Sequence, residues 1–279
     1  MTAVPANAPE NGRGMTKASS AVAGRSRGNA PARARRAFWA HLVNESRLLL
    51  REPPALIFGA ILPLIAITVM SAIPPARQPI AEFGGLSVVQ TYAPTIMLFA
   101  TSILGLTVIP MILGSYREMG VLRRLRTTPS SPGSLLAALF TIVTVVGLVV
   151  ALLIVVIPAL FGAGLPQGIG LFALAAVLSL LAFVALGVLL ASVVRNPKAA
   201  AGIGNVFAAL MWFFAGMWYP RALFPQWLAA VADLTPGGAA ATAMSQATLG
   251  LEVGWQPFVV LLVWTAAAGW LATRTFRWE

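Results

Sequence analysis

Apolar residues gather into six stretches that contain no Asp, Glu, Lys, Arg or His: Ala55 to Ile73, Val89 to Gly114, Ser134 to Leu160, Ile169 to Val194, Ala200 to Trp218 and Pro257 to Thr273. Each holds 17 or more residues, close to the length of about 20 with which a helix crosses a hydrocarbon core of roughly 30 Å. Inside lipid the backbone must bond to itself, which a helix achieves and an open strand does not. The pattern therefore predicts an all-α membrane protein with six transmembrane helices, the sixth being the shortest at 17 residues.

Ahead of the first stretch the period changes. From Arg35 to Glu52, Phe38, Trp39, Leu42, Val43, Leu49 and Leu50 fall on one side of a helix, and Arg36, Asn44, Arg47 and Arg51 fall opposite. A basic face against an aromatic and leucine face describes an amphipathic helix lying in the membrane interface, ended by Pro53 and Pro54. Residues 1–34 are rich in Ala, Gly, Pro, Ser and Arg and have no apolar period, which reads as a disordered basic arm. They do not read as a secretory signal. Arg35-Arg36-Ala37-Phe38 faintly matches a twin-arginine signal, but Asn44, Glu45, Arg47, Arg51 and Glu52 stand where its apolar stretch belongs. The chain thus divides into an arm (1–34), an interfacial helix (35–54) and a six-span domain (55–279).

Two outer loops, Pro74 to Val88 and Phe161 to Gly168, are short. Tyr219 to Gln256 is longer. It carries Pro220, Pro225 and Pro236 and a moderately apolar run, Trp227 to Leu234, too short to cross. One or two short helices dipping into the outer interface are predicted, with Trp218, Tyr219 and Trp227 at headgroup level.

Charge orients the spans. Of 19 Lys and Arg, 9 precede span one, 4 follow span two, 2 follow span four and 2 lie in the C-terminal tail. Only Arg77 and Arg221 fall on the other side. Basic residues mark the cytoplasmic face, so both termini are placed there. The net charge of +11 is this topology signal together with attraction to anionic lipid, and no nucleic-acid partner is inferred from it. Composition agrees, because 58% hydrophobic and 10% charged residues, with a mean hydropathy of +0.84, leave too little polar surface for a soluble globule.

Several chemistries are absent. There is no cysteine, and the single histidine, His41, lies outside the spans, so no metal or catalytic constellation is read here. No G-x-x-x-x-G-K-[ST] occurs, and the only lysines, Lys17 and Lys198, follow Thr16 and Pro197. The six stretches hold no ionisable side chain but Tyr92, whereas proton-driven pumps place Asp, Glu or His within their spans. No internal repeat links the two halves. If the protein moves a solute uphill, energy has to arrive from a separate subunit.

Two regions are chemically distinctive. Tyr116 to Pro129 is an island of Arg, Glu and Thr between long apolar runs, a basic segment with one acid, Glu118. Topology accounts for its arginines but not for Glu118 or Thr127-Thr128-Pro129. In span two, Thr91, Thr95 and Ser102 share a face, Thr101 and Thr107 lie elsewhere, and Pro94 and Pro110 are placed to kink it. Such hydroxyls bond carbonyls one turn back or line a pathway, for which Thr95, Phe99, Ser102, Asn205 and Met211 are the candidates. Gly187 with Ala191, and Gly204 with Ala208, have the small-x-x-x-small spacing of close helix contacts, within or between chains.

Three blocks carry a family likeness: Leu50-Arg51-Glu52-Pro53 entering a span with Leu62-Pro63; Tyr116-Arg117-Glu118 through Leu122, Leu125 and Thr128-Pro129; and Gly216-Met217-Trp218-Tyr219-Pro220 followed by Pro225-Gln226-Trp227-Leu228 and Pro236. On them the chain resembles the membrane subunits, or permeases, of ABC-type exporters of the daunorubicin-resistance kind, a group that also includes polysaccharide and lipid exporters. The resemblance implies a permease in the cell membrane driven by a soluble ABC-type ATPase that binds ATP and Mg, with no cofactor on this chain. It implies a coupling helix between spans two and three that docks on the ATPase, giving that role to Arg117, Glu118, Arg123 and Arg124. It also implies a connecting helix before span one, re-entrant outer helices within Tyr219 to Gln246, and a unit of two permeases with two ATPases. The second permease is a copy or a relative. An amphipathic cargo, a drug, antibiotic or lipid, follows from the uncharged spans and the lack of an outer domain. A polysaccharide or lipid-linked glycan is the rival cargo, to be marked by aromatic rings stacked along a wide channel. A non-transporting scaffold or a lone proton-driven carrier are the readings from other classes.

Overall fold

The computed structural model describes residues 30–50, 56–120 and 132–275, and among them every regular element is helical. Nine helices among these residues carry the fold. The amphipathic segment forms α1, Ala30–Leu50, opening at Ala30 rather than Arg35. The apolar stretches form α2, Ile57–Ala72; α3, Val88–Glu118; α4, Pro132–Leu160; α5, Ile169–Val193; α6, Pro197–Phe214; and α9, Gln256–Thr275. Between α6 and α9 lie two short helices, α7, Gln226–Asp233, and α8, Pro236–Thr248.

Helix starts follow local chemistry. Ser87 and Gln90 form a reciprocal capping box at α3, each side chain bonding the other's backbone N–H. Asn196 caps α6 and Thr235 caps α8, each followed by a proline whose missing N–H costs nothing at a first turn. Gly120, at φ 66°, stops α3 in the left-handed conformation that glycine adopts without strain.

Four helices, α3, α4 from Leu135, α5 and α9, are long and apolar enough to cross a membrane. The first stretch forms the shorter α2, and the fifth ends at Phe214, so Met217 and Trp218 stand outside α6. The chain is a multi-pass membrane protein, and its surface says so: large apolar side chains are exposed on α2 (Phe58, Ile65, Val69), α4 (Val145, Val149, Leu152) and α9 (Leu262, Val263). Helix α3 is the centre, buried along most of its length, while α4 and α9 turn most of theirs outward.

Two π-helical turns interrupt the bundle, Ile57–Ile61 in α2 and Leu104–Val108 in α3. The second lies between Pro94 and Pro110, so the predicted irregularity of span two is a wide turn rather than two simple kinks. Backbones of α5 and α6 touch α3 at this turn. A Cβ on Gly187 would stand 2.0 Å from the Gly105 carbonyl oxygen, and one on Gly204 would stand 1.8 Å from that of Leu106. Both small-x-x-x-small pairs thus have a contact within the chain.

The loops cluster at two ends. At one, Arg77 donates to the Phe161 carbonyl, Gly168 N–H donates to the Ala247 carbonyl at 2.8 Å, and Arg221 pairs with Asp233 while donating to the Gly238 carbonyl at 2.7 Å and to Thr242. The two arginines assigned by charge to the outer side therefore both tie loops at this end together. At the other end, Gly114 abuts Pro197 and the Ser192 and Thr275 hydroxyls meet at 2.5 Å.

Candidate functional site

Of the five pathway candidates, the structure places three, Phe99, Ser102 and Asn205, at the contact between α3 and α6, and a fourth, Met211, between α6 and α8. Phe99 of α3 stacks on Trp212 of α6, with ring centroids 4.8 Å apart at 29°. The Trp212 indole N–H donates to the Ser102 hydroxyl at 2.8 Å, and Ser102 in turn donates to the Phe99 carbonyl at 2.9 Å. Further along α6, toward its start, Asn205 accepts from Thr107 at 2.7 Å. Met211 is buried and faces the other way, with its backbone against Gly237 of α8. Thr95 is half-buried on the same side of α3 as Phe99.

Trp212 was not among the candidates, although it lies seven residues from Asn205 and so shares its face of α6. It leads a run of rings toward the end of the bundle that holds Arg77 and Arg221. Trp212 meets Trp218 edge-on at 6.5 Å, and beside them Phe213, Phe224 and Tyr219 stack in sequence at 5.6 and 5.9 Å. Phe99 also lines a cavity of about 200 Å³ with Leu62, Pro63, Ala66, Ile96 and Met217, an uncharged recess between α2 and α3. Thr101 spends its hydroxyl on the Met97 carbonyl at 3.0 Å, as an intramembrane threonine commonly does.

The docking candidates sit at the opposite end. Arg117 and Glu118 form the last turn of α3, not a separate helix, and Arg123 and Arg124 lie outside the described residues. Arg117 is half-buried and donates to the Ala191 carbonyl at the end of α5, so part of its guanidinium clamps two helices. Glu118 is exposed. A carboxylate in the last turn of a helix is opposed by the helix dipole by about 0.3–1 kcal/mol, so the helix itself does not favour it there.

Beside this end lies a buried acid that the pattern of helix faces does not single out. Phe38, Leu42, Glu45 and Leu49 make the stripe of α1 turned toward the bundle, and Trp39 and Val43 face out. Glu45 is 2% exposed and accepts a hydrogen bond from the Tyr116 hydroxyl, one residue before Arg117. Its second oxygen, Oε1, has no hydrogen-bond partner among the described residues. Burial raises the Glu45 carboxyl above the ordinary glutamate range, and the Tyr116 hydrogen bond offsets only part of that. A carboxyl so raised favours the folded state in acid, and the contribution is lost as pH climbs through its folded value. Glu45→Gln keeps an acceptor for Tyr116 and removes the charge. Its thermal midpoint in detergent is therefore expected to fall less than the parent's as pH rises from the glutamate range to neutral, and parallel pH curves would contradict this.

Compared with known families, residues 36–249 match the model of the ABC-2 type transporter family. No curated protein matches the chain.

Proposed function

The chain belongs to the ABC-2 type transporter family, and from that premise we propose that it exports an amphipathic small molecule, a drug, antibiotic or lipid, across the plasma membrane. Membrane domains of this family are permease subunits that work with an ABC ATPase and perform no catalysis. In this reading all six apolar helices cross, both termini are cytoplasmic, and two permeases, copies or relatives, pair with two ATPases that bind ATP and Mg. The segregation of loops to two ends of the bundle supports six crossings.

The cargo class rests on one observation, the recess beside Phe99. Its walls are apolar, and next to it stands a hydroxyl–indole pair with no formal charge, Ser102 and Trp212. Such a surface takes an apolar body bearing a few hydrogen-bonding groups and gives a charged polymer nothing to pair with. The ring run from Phe99 to Trp218 favours the rival glycan cargo, since sugars stack on aromatic faces. Here, however, Phe99 and Trp212 cover one another, and it is Trp218 and Tyr219 at the outer end that are exposed. The amphipathic cargo fits better.

The test is to extract a tagged copy from its native membrane in mild detergent and identify what remains bound. A stoichiometric P-loop ATPase is expected. A chain without one would overturn the exporter reading in favour of a scaffold or a lone carrier. With both subunits in inside-out vesicles, ATP-dependent uptake of an amphipathic dye is expected, and Trp212→Leu is expected to cut it several-fold by freeing Phe99 and Ser102. Uptake of an oligosaccharide but not of the dye would select the glycan.

A further inference from the structure

Where α3, α5 and α9 end together, beside the docking candidates Arg117 and Glu118, the structure leaves a cavity of about 620 Å³. Three guanidiniums line it against one carboxylate: Arg117 from the last turn of α3, Arg195 from the link after α5, Arg274 from α9, and Glu118. The hydroxyls of Ser192 and Thr275, 2.5 Å apart, complete the polar wall. A membrane protein needs basic residues on its cytoplasmic side, but topology does not require three of them, from separate segments, to converge on one hollow. Convergence is unfavourable by itself, since Arg117 feels the charge of Arg195. Neither Arg195 nor Arg274 has an ion-pair partner among the described residues, where the single ion pair is Arg221–Asp233 at the other end. Arg274 is nevertheless held in place, its guanidinium 5.1 Å from the Trp270 ring centroid.

Several guanidinium forks with hydroxyls beside them are the donor set that recognises phosphate oxygens. Around the cavity the surface turns apolar at once, with Val193, Trp270 and Leu271 exposed. That is a site at the level of lipid headgroups with hydrocarbon contacts beneath it. We propose that this cavity is a phosphate-binding site, occupied by the headgroup of an anionic phospholipid that joins the ends of α3, α5 and α9. The lipid neutralises Arg195 and Arg274 and steadies the turn that carries Glu118. Basic pockets between membrane helices hold phosphorylated headgroups by this physics.

The full-length protein would be placed in nanodiscs of phosphatidylglycerol and phosphatidylcholine, and the phosphatidylglycerol kept on release counted by native mass spectrometry. R195Q/R274Q is expected to retain at least about tenfold less. R47Q/K198Q removes two cations that do not line the cavity, and is expected to change retention by less than about twofold. Equal losses in the two pairs would overturn the site, because diffuse surface charge alone gives that result. Stabilisation of delipidated protein by inorganic phosphate, with no phosphatidylglycerol retained, would keep the phosphate chemistry and overturn the lipid as occupant. If the glutamine pair does not fold, R195Q is scored against K198Q by the same criteria.

Discussion

Glu118→Arg is expected to insert and fold as the parent does and yet to abolish ATP-driven export. Within the chain the substitution breaks no ion pair or hydrogen bond among the described residues: Glu118 is exposed, and although it shares a cavity with Arg117, Arg195 and Arg274, charges at that open rim are screened by solvent. An arginine there suits the dipole better. What the change does alter is the charge presented to a partner. Like charges brought together in an interface cost several kcal/mol, and breaking a close charge pair costs about 2–5 kcal/mol, so capture of the ATPase is expected to fall by roughly a hundredfold or more. The measurement is the amount of ATPase that co-purifies with the permease, alongside dye uptake in inside-out vesicles. Normal export by the variant would remove Glu118 from the coupling role. Because the substitution would add a further guanidinium to the cavity at that end, lipid retention should hold or rise, so the coupling assignment and the phosphate site fail separately.

The number and order of the apolar helices were legible because length and lack of charge are one-dimensional properties, and six stretches became six helices. Contacts across helices were less legible, for geometric reasons. Met211 and Trp212 are neighbours in sequence and about 100° apart around α6, so composition does not say which of them faces α3. The structure turns Trp212 to Phe99 and Ser102, and Met211 to α8. Glu45 was hidden for a different reason. A carboxylate in an amphipathic segment reads as part of the wet face, and only the docking of α1 on the bundle shows it on the buried stripe with Tyr116. Arg77 and Arg221 looked like exceptions to the charge asymmetry, and their reason is tertiary: each ties backbone segments at one end of the bundle. Arg117 and Glu118 were assigned to a helix between spans two and three, and that they form the last turn of α3 depends on where the helix stops, which Gly120 decides.

Gly204→Val is the substitution expected to damage the fold most. Its cause begins with Pro110, which has no N–H and so withholds from the Leu106 carbonyl, four residues earlier, the hydrogen bond an α-helix would supply. The π turn at Leu104–Val108 opens α3 at that place, and α6 approaches so closely that the Cα–H of Gly204 faces the Leu106 carbonyl oxygen. Such a contact is a weak hydrogen bond. A Cβ there would be 1.8 Å from the Leu106 carbonyl oxygen, backbone against backbone, so no rotamer change relieves it. The helices must separate, and in lipid the carbonyl they uncover finds no water. Overpacking of this kind costs about 3 kcal/mol or more, against about 1 kcal/mol for an average substitution. Gly202, on the same helix, is exposed, and a Cβ added to it would meet nothing within 4 Å. Gly202→Val is therefore expected to stay within about 0.5 kcal/mol of the parent. Yield and thermal midpoint in detergent separate the two variants, and matching midpoints would show that the α3–α6 contact at the π turn does not hold this bundle together.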